Sequence, residues 1–347
     1  MQITNQAYKE GCWIVFLCSI WYTSSSGQNV INKRLLGYFP YPITISMVHM
    51  LCVALFLGPV LRLRKVEKLK IHDKHRFLML VFPLAFGKFF ASISSHLSIA
   101  NVSVSFAHTV KAMMPIFTVI LSRIIVNEKA SKRVYLALAT IIFGVLIATV
   151  TELTFNVIGG TFALIATITF SLQNVYTKKA IGDLYIHHLR LLLILGQLAS
   201  LMLLPIWMYV DLTRIYNNKV LIETLNWPKT LLLLFLSGLL NFTQNIFAFS
   251  VISLISPLSY SIANATKRIV IITSSLIFLR NPVTPMNVFG MGTAIIGVLA
   301  YNKAKYDDRC NKQMLPVYTS DADLVHMKAY RTREAIFSNG HSNSNYV

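Results

Sequence analysis

Charge is scarce in this chain, and negative charge scarcer still. Only 13% of its 347 residues are charged, with 13 Asp and Glu against 32 Lys and Arg. A soluble domain carries about 25% charged residues. One water-soluble globule is therefore excluded, and the same composition excludes a disordered chain or a collagen-like fibre. Cysteine is equally sparse. Cys12, Cys18, Cys52 and Cys310 show neither metal-ligand nor disulfide-framework spacing, so no zinc or redox chemistry follows. No metal and no cofactor is expected.

What the chain has is hydrocarbon. Apolar residues make up 55% of it, and its mean hydropathy is +0.59. Crossing a bilayer takes about 20 mainly apolar residues in a helix. Ten segments qualify: residues 12–36, 43–61, 77–100, 103–126, 134–151, 161–177, 189–210, 230–253, 257–279 and 286–301. The runs are continuous rather than alternating, which excludes a membrane barrel. An all-α membrane protein with ten transmembrane helices is expected, with the lipid bilayer as its obligatory partner.

The net charge of +19 would suggest nucleic acid in a soluble protein, but here its location explains it. With a cytosolic N-terminus, the cytosolic side carries Lys9, the basic loop 62–76, Lys129, Lys132, Arg133, Lys178, Lys179, Arg190 and the basic tail. Only Lys33, Arg34, Arg214, Lys219, Lys229 and Arg280 fall opposite. Such asymmetry is the topological signal of cytosolic loops. Both termini are expected in the cytosol, and nucleic acid is excluded as a partner.

The sequence also repeats. Gln28-Asn29-Val30 with Lys33 recurs 145 residues later as Gln173-Asn174-Val175 with Lys178. Thr140 with Gly144-Val145-Leu146 recurs 153 residues later as Thr293 with Gly297-Val298-Leu299. The first span thus matches the sixth and the fifth matches the tenth. Five is odd, so the second copy enters the membrane inverted, as in secondary transporters with a midplane site between two halves. The organisation expected is a short N-terminus 1–11, a five-helix repeat 12–151, a second repeat 161–301 and a disordered cytosolic tail 302–347.

Inside the spans the charge is one-sided. No Asp or Glu lies deep in any of them, with Glu152 and Asp211 at ends, whereas Lys111 lies mid-way in span four and Lys267-Arg268 mid-way in span nine. Each intramembrane cation costs at least about 2.5–3.5 kcal/mol on insertion scales. Water, backbone carbonyls or a bound anion must compensate, and an anion site is the economical reading. His108 shares a helix face with Lys111, and Pro115 loosens the helix one turn later. Tyr260, Asn264 and Lys267-Arg268 form a second polar stripe. Arginine supplies a two-pronged fork suited to phosphate or carboxylate, and lysine a point charge. Lys88 and Arg123, nearer helix ends, are expected to snorkel. His49 and His96 are expected to serve helix packing. Lys33, at a helix end, serves either topology or substrate contact. Cation-driven transport ordinarily needs an intramembrane carboxylate, and exchange is expected in its absence: the empty positive cavity resists reorienting, and a bound anion removes that barrier.

These residues also carry a resemblance. Ser105-Phe106-Ala107-His108-Thr109-Val110-Lys111-Ala112, Asn29-Val30-Ile31-Asn32-Lys33, and Ser256-Pro257-Leu258 leading to Asn264-Ala265-Thr266-Lys267-Arg268 resemble the triose-phosphate translocator branch of solute carrier family 35, in the drug/metabolite transporter superfamily. Within it the sequence is similar to E1-type endomembrane members. The resemblance covers residues 12–305. It implies two inverted five-helix halves, strict exchange of phosphorylated or nucleotide-linked solutes, and a phosphate held by Lys111, Lys267 and Arg268. Three departures bear on specificity. Ala91-Ser92-Ile93-Ser94-Ser95 stands where plastid members have Gly-His-x-x-Thr, Gln244-Asn245-Ile246 where they have Tyr-Asn-Gln, and Gln173 where they have an arginine. The anion clamp is kept while its surroundings change, so triose phosphate itself is disfavoured.

The function expected is an antiporter, not an enzyme. It exchanges an anionic small molecule (a sugar phosphate, a phosphorylated acid or a nucleotide sugar) for a counter-substrate across a Golgi or endoplasmic reticulum membrane. No plastid transit peptide is apparent, and a homodimer is left open. Two other classes compete: a non-transporting membrane adaptor working through loop 62–76 and the tail, and an intramembrane acyltransferase using His108. Deleting residues 310–347 separates the first two. A transporter keeps its uptake in reconstituted vesicles, whereas an adaptor loses its partner in a pull-down.

Overall fold

A chain this apolar cannot leave backbone N–H and C=O groups bare in hydrocarbon, and the helix satisfies them all within one segment. The computed structural model describes residues 2–66, 74–126, 130–184, 186–254 and 257–314, and among these every regular element is helical. In order they are α1 (Gln2–Tyr38), α2 (Pro42–Leu63), α3 (Lys74–Asn101), α4 (Val104–Val110), a 3-10 turn Lys111–Met113, α5 (Met114–Val126), α6 (Lys132–Val150), α7 (Val157–Leu184) and α8 (His188–Trp207). A π-turn Met208–Leu212 then leads to α9 (Thr213–Asn217), α10 (Lys219–Thr224), α11 (Trp227–Leu254), α12 (Pro257–Leu279) and α13 (Pro285–Met314).

Among the described residues, eight helical rods are long and apolar enough to cross a membrane: α2, α3, α4 joined to α5, α6, α7, α8 continued through α9, α11 and α12. This is a multi-pass membrane protein. The expected first and last spans fall short of that measure for reasons visible in their residues. The middle of α1 reads Thr23-Ser24-Ser25-Ser26-Gly27-Gln28-Asn29, and α13 turns polar from Asn302 onward. The stretch expected to begin a disordered tail at 302 is helical as far as Met314, because Lys303, Ala304 and Lys305 are good helix formers. Residues 315–347 of that expected tail lie outside the described residues. The chain divides into two compact units, Met1–Ala304 and Lys305–Val347. Both expected repeats, and the site described below, lie in the first.

The expected fourth span is continuous in sequence but broken in structure. Proline at 115 has no N–H to offer the carbonyl four residues earlier, which belongs to Lys111. The helix tightens there into the 3-10 turn and resumes as α5.

The long helices pair α1 with α11, α3 with α7, α2 with α8, α1 with α12 and α5 with α7. Exchanging α1 with α7, α2 with α8, α3 with α11 and the α4–α5 rod with α12 maps this set of pairings onto itself. One end of the bundle is dry: Leu35, Phe39, Ile45, Ile99, Val104 and Phe106 are 0–2% exposed and form one cluster.

The two helices carrying the Gly-Val-Leu repeat meet backbone to backbone. A Cβ added at Gly144 would lie 2.3 Å from the Ala294 nitrogen, and one at Gly290 2.6 Å from the Ala148 nitrogen. Small residues permit this approach, and in a bilayer such packing drives helix association. Gly144→Ala and Gly290→Ala should each destabilise the protein by about 1–3 kcal/mol through overpacking. Gly292→Ala, whose added Cβ meets nothing within 4 Å, should be neutral. Thermal unfolding in detergent reads the contrast.

Candidate functional site

The site is built on the break before α5. The Lys111 carbonyl, denied its α-helical donor by Pro115 and met by the Met114 N–H in the 3-10 turn, also accepts a hydrogen bond from Arg268 Nη1 at 2.6 Å. This contact joins the middle of the expected fourth span to the middle of α12. Arg268 Nη2 also lies 3.9 Å from Met114 Sδ. The Lys111 ammonium turns the other way, donating to Ser95 Oγ at 2.7 Å with its Nζ 5.7 Å from the Phe170 ring centroid. Lys267 Nζ lies 4.9 Å over the ring of Trp21, which is only 2% exposed. A cation over an indole face is attracted by the ring quadrupole. The three cations are themselves part-exposed, so they border accessible space rather than solid protein.

Neutral groups therefore hold all three: a carbonyl, a thioether, a hydroxyl and two aromatic faces. Among the described residues none of these contacts involves a carboxylate. The two acids at span ends are engaged elsewhere. Glu152 accepts from Ser103 Oγ at 3.1 Å and Thr154 Oγ1 at 2.6 Å, beside the start of α4. Asp211 accepts from the Thr44 backbone N–H at 2.7 Å and from Thr44 Oγ1 at 2.9 Å, capping α2 from the π-turn.

Polar side chains complete the surround. His108 Nε2 donates to Asn29 Oδ1 at 3.1 Å, and Asn29 Nδ2 donates to the Ser25 carbonyl at 2.8 Å. Gln244 accepts from Ser25 Oγ and donates to Gln28 Oε1, tying α11 to α1. From α7, Asn174 Nδ2 reaches Met114 Sδ at 3.4 Å and Ser171 Oγ donates to the Met114 carbonyl at 3.1 Å. The asparagines of the two repeated Gln-Asn pairs thus face the α4–α5 rod from two helices, Asn29 at His108 and Asn174 at Met114.

Of the residues expected from sequence, Lys111, Arg268, Lys267 and His108 come together, with Gln244 attached through α1. Asn264 is part-exposed on α12 one turn before Lys267, and Gln173 part-exposed beside Asn174. The side chain of Tyr260 lies outside the described residues. Lys33 takes a different place. Its Nζ donates to the carbonyls of Ile99 at 2.7 Å and Val102 at 2.9 Å, closing the end of α3. A cation there satisfies the bare last carbonyls and the negative end of the helix dipole. Trp21 and Phe170 were not among the expected site residues, and Ser95 entered only as the end of the stretch 91–95 that departs from the plastid pattern. Trp21, Ser25 and Asn29, spaced at i, i+4 and i+8, were a legible stripe on α1. Nothing local marked Phe170.

A void of about 10 Å³ lies beside Arg268 and His108, against Met291 and Ala294 of α13. It has room for about one water and none for a phosphate ester.

The Triose-phosphate Transporter family model matches residues 12–302. Phosphoenolpyruvate/phosphate translocator 2, chloroplastic, of Arabidopsis thaliana is 30% identical over 294 residues, covering 82% of this chain and 75% of that protein. Phosphoenolpyruvate/phosphate translocator 3, chloroplastic, of Oryza sativa subsp. japonica is 31% identical over 289 residues, covering 82% and 72%. Glucose-6-phosphate/phosphate translocator 1, chloroplastic, of Arabidopsis thaliana is 30% identical over 287 residues, covering 82% and 73%. With most of its length matched and its deep cations gathered at one locus, the chain belongs to the Triose-phosphate Transporter family, whose members are transporters and not enzymes.

Proposed function

We propose that this chain is an antiporter that exchanges phosphate-bearing organic anions, with Lys111, Lys267 and Arg268 holding the phosphate. The observation that carries this reading is the convergence of three cations whose partners, among the described residues, are all neutral. Orientation is supplied without neutralisation, so the positive charge is left for a ligand. Arg268 fits the planar geometry of phosphate oxygens, and the lysines add point charge. The names of the matched relatives, phosphoenolpyruvate/phosphate and glucose-6-phosphate/phosphate translocators, support the substrate class. In this reading Gln244, Gln173 and Asn264 contact the remainder of the substrate.

Exchange rather than one-way transport follows from the same electrostatics. Moving an uncompensated cluster of positive charge through a low-dielectric core is unfavourable, and a bound anion cancels the penalty in either direction. The symmetric pairing of helices supports two inverted halves working on one shared site. The Lys and Arg asymmetry supports cytosolic termini. An endomembrane location rests on the motif resemblance alone, and imaging of a tagged chain in animal cells checks it.

Two measurements test the reading. Lys267→Gln and Arg268→Gln should each reduce phosphate exchange by about 10- to 100-fold, matching the roughly 1.5–3 kcal/mol of a hydrogen bond to a charged group. Abundance and thermal stability should stay near wild type, and full exchange in either variant would dismiss the clamp. Separately, uptake of labelled phosphate into proteoliposomes should require internal phosphate or a phosphate ester. Equal uptake into empty vesicles would rule out obligatory exchange.

A further inference from the structure

A further deep cation stands outside the cluster. Lys88 lies mid-way along α3, too far from either end for the snorkelling expected of it from sequence. Its face on the helix fixes its surroundings. Phe82, Phe86 and Phe90 are 41–52% exposed and form the outer stripe of α3, whereas Leu84, Ala91 and Ser95 are 0–8% exposed and form the inner one. Helical spacing puts Lys88 on that inner stripe, between Leu84 and Ala91. Lys88 is nonetheless part-exposed, so it borders accessible space within the bundle. Among the described residues it has neither a hydrogen-bond partner nor a carboxylate beside it.

Two contacts set its level relative to the anion site. On the same stripe of α3, Ser95 Oγ accepts from Lys111 Nζ at 2.7 Å. On α7, Thr169 lies against Gly87, where an added Cβ would stand 3.9 Å from its Cγ2, and the adjacent Phe170 is the ring beside Lys111 Nζ. Lys88 thus stands beside the stretch of α7 that flanks the Lys111 ammonium. Toward the start of α3 the helix is sealed, because Leu84 belongs to a dry cluster with Ala180 of α7 and Leu191 of α8. A ligand that reaches Lys88 therefore comes from the side of Ser95 and the cation cluster.

We propose that Lys88 binds a second acidic group of the substrate, so that the site selects small phosphorylated carboxylic acids over phosphate esters with a neutral tail. This rests on the phosphate clamp proposed above and adds what the other end of the ligand carries. An intramembrane cation is expensive and marks a functional position by default. Among the described residues, protein groups hold Lys111, Lys267 and Arg268, whereas the fold gives Lys88 nothing to hold.

Length narrows the ligand. Lys88 and Ser95 are two turns apart, about 10 Å along the helix axis. A charge-assisted hydrogen bond of about 2.8 Å at either end leaves about 5 Å for the ligand itself. A phosphorylated acid of a few carbons has that length, and a nucleotide sugar is far longer. The two ends are also chemically distinct. The clamp gathers an arginine fork and two lysines, which suits a phosphate. Lys88 is a single compact charge without a fork, which suits a carboxylate. A sugar phosphate fills the clamp and leaves Lys88 unmatched.

The test uses full-length protein in phosphate-loaded proteoliposomes, with labelled phosphate outside and two competitors on one carbon skeleton. 3-Phosphoglycerate ends in a carboxylate where glycerol 3-phosphate ends in a hydroxymethyl group. Wild type should be half-inhibited by 3-phosphoglycerate at a concentration about 10-fold lower or less, the effect of one hydrogen bond to a charged group. Lys88→Met should bring the two competitors within about threefold of each other by weakening 3-phosphoglycerate. Lys88→Arg, which keeps the charge, should keep the preference. A merely structural lysine would shift both competitors together. If Lys88→Met does not fold, Ser92→Asp sets a carboxylate one turn from Lys88 and should cancel the preference with the lysine in place. Wild type that does not distinguish the competitors, or a parallel shift of both, or full preference in either neutralising variant, overturns the proposal and leaves the phosphate clamp standing. Wild-type vesicles that exchange no phosphate at all would fail the transport reading itself, and the proposal with it.

Discussion

The bond from Arg268 to the Lys111 carbonyl is the contact on which the site depends. Pro115 creates it by withholding the N–H that would have closed the helix there. The Met114 N–H meets that carbonyl through the tighter 3-10 turn, which leaves its second lone pair open, and a guanidinium fills it at a fixed angle. The choice of acceptor matters. A carboxylate would have fixed Arg268 equally well but cancelled its charge, whereas a carbonyl fixes the group and leaves the charge in place. The same logic covers Lys267 on the face of Trp21 and Lys111 on Ser95. Position is secured by dipoles and quadrupoles, and the net positive charge is retained.

That retention is only useful because the acids are kept away. Glu152 and Asp211 could each neutralise a cation if they reached the cavity. Both are instead committed to helix ends, Glu152 to Ser103 at the start of α4 and Asp211 to Thr44 near the start of α2. Carboxylates there meet the positive end of a helix dipole and bare N–H groups. The scarcity of acid noticed in the composition is therefore a structural condition of the site, and what little acid there is serves the frame.

How much of this was legible depends on how far each contact reaches along the chain. The deep cations, the proline and the repeat are local facts, and they point at Lys111, Lys267, Arg268 and His108 from the sequence alone. The partners that hold those groups come from other helices. Ser95 and Phe170 meet Lys111 only because α3 and α7 pack together, and no periodicity within either segment marks them. Lys33 was ambiguous for the same reason. Its sequence neighbourhood matches a family motif, but the bare carbonyls it serves belong to α3 and become visible only when α1 lies against it. The break at Lys111 could have been drawn from Pro115 alone. Helix continuing to Met314 could not be separated by hydropathy from a polar tail, because hydropathy registers lipid contact and is silent on helix propensity in water.

The distribution of tight and loose packing limits how such a site could change its exposure. Between α6 and α13 the backbones touch at Gly144 and Gly290, leaving no side-chain layer that could slide or compress. The dry cluster around Leu35, Ile45 and Phe106 holds the ends of α1, α2, α3 and α4 together. In contrast, the faces around the cations are joined by single hydrogen bonds and ring contacts that an anion can replace one for one. Arg268 can exchange a carbonyl for a phosphate oxygen, and Lys267 an indole face for another. On the exchange reading proposed above, a cluster of positive charge opposes movement until its field is cancelled, so the replacement of those weak contacts by a phosphate is also the event that would free the protein to rearrange. Binding and permission to move are then one step, and obligatory exchange needs no separate gate to enforce it.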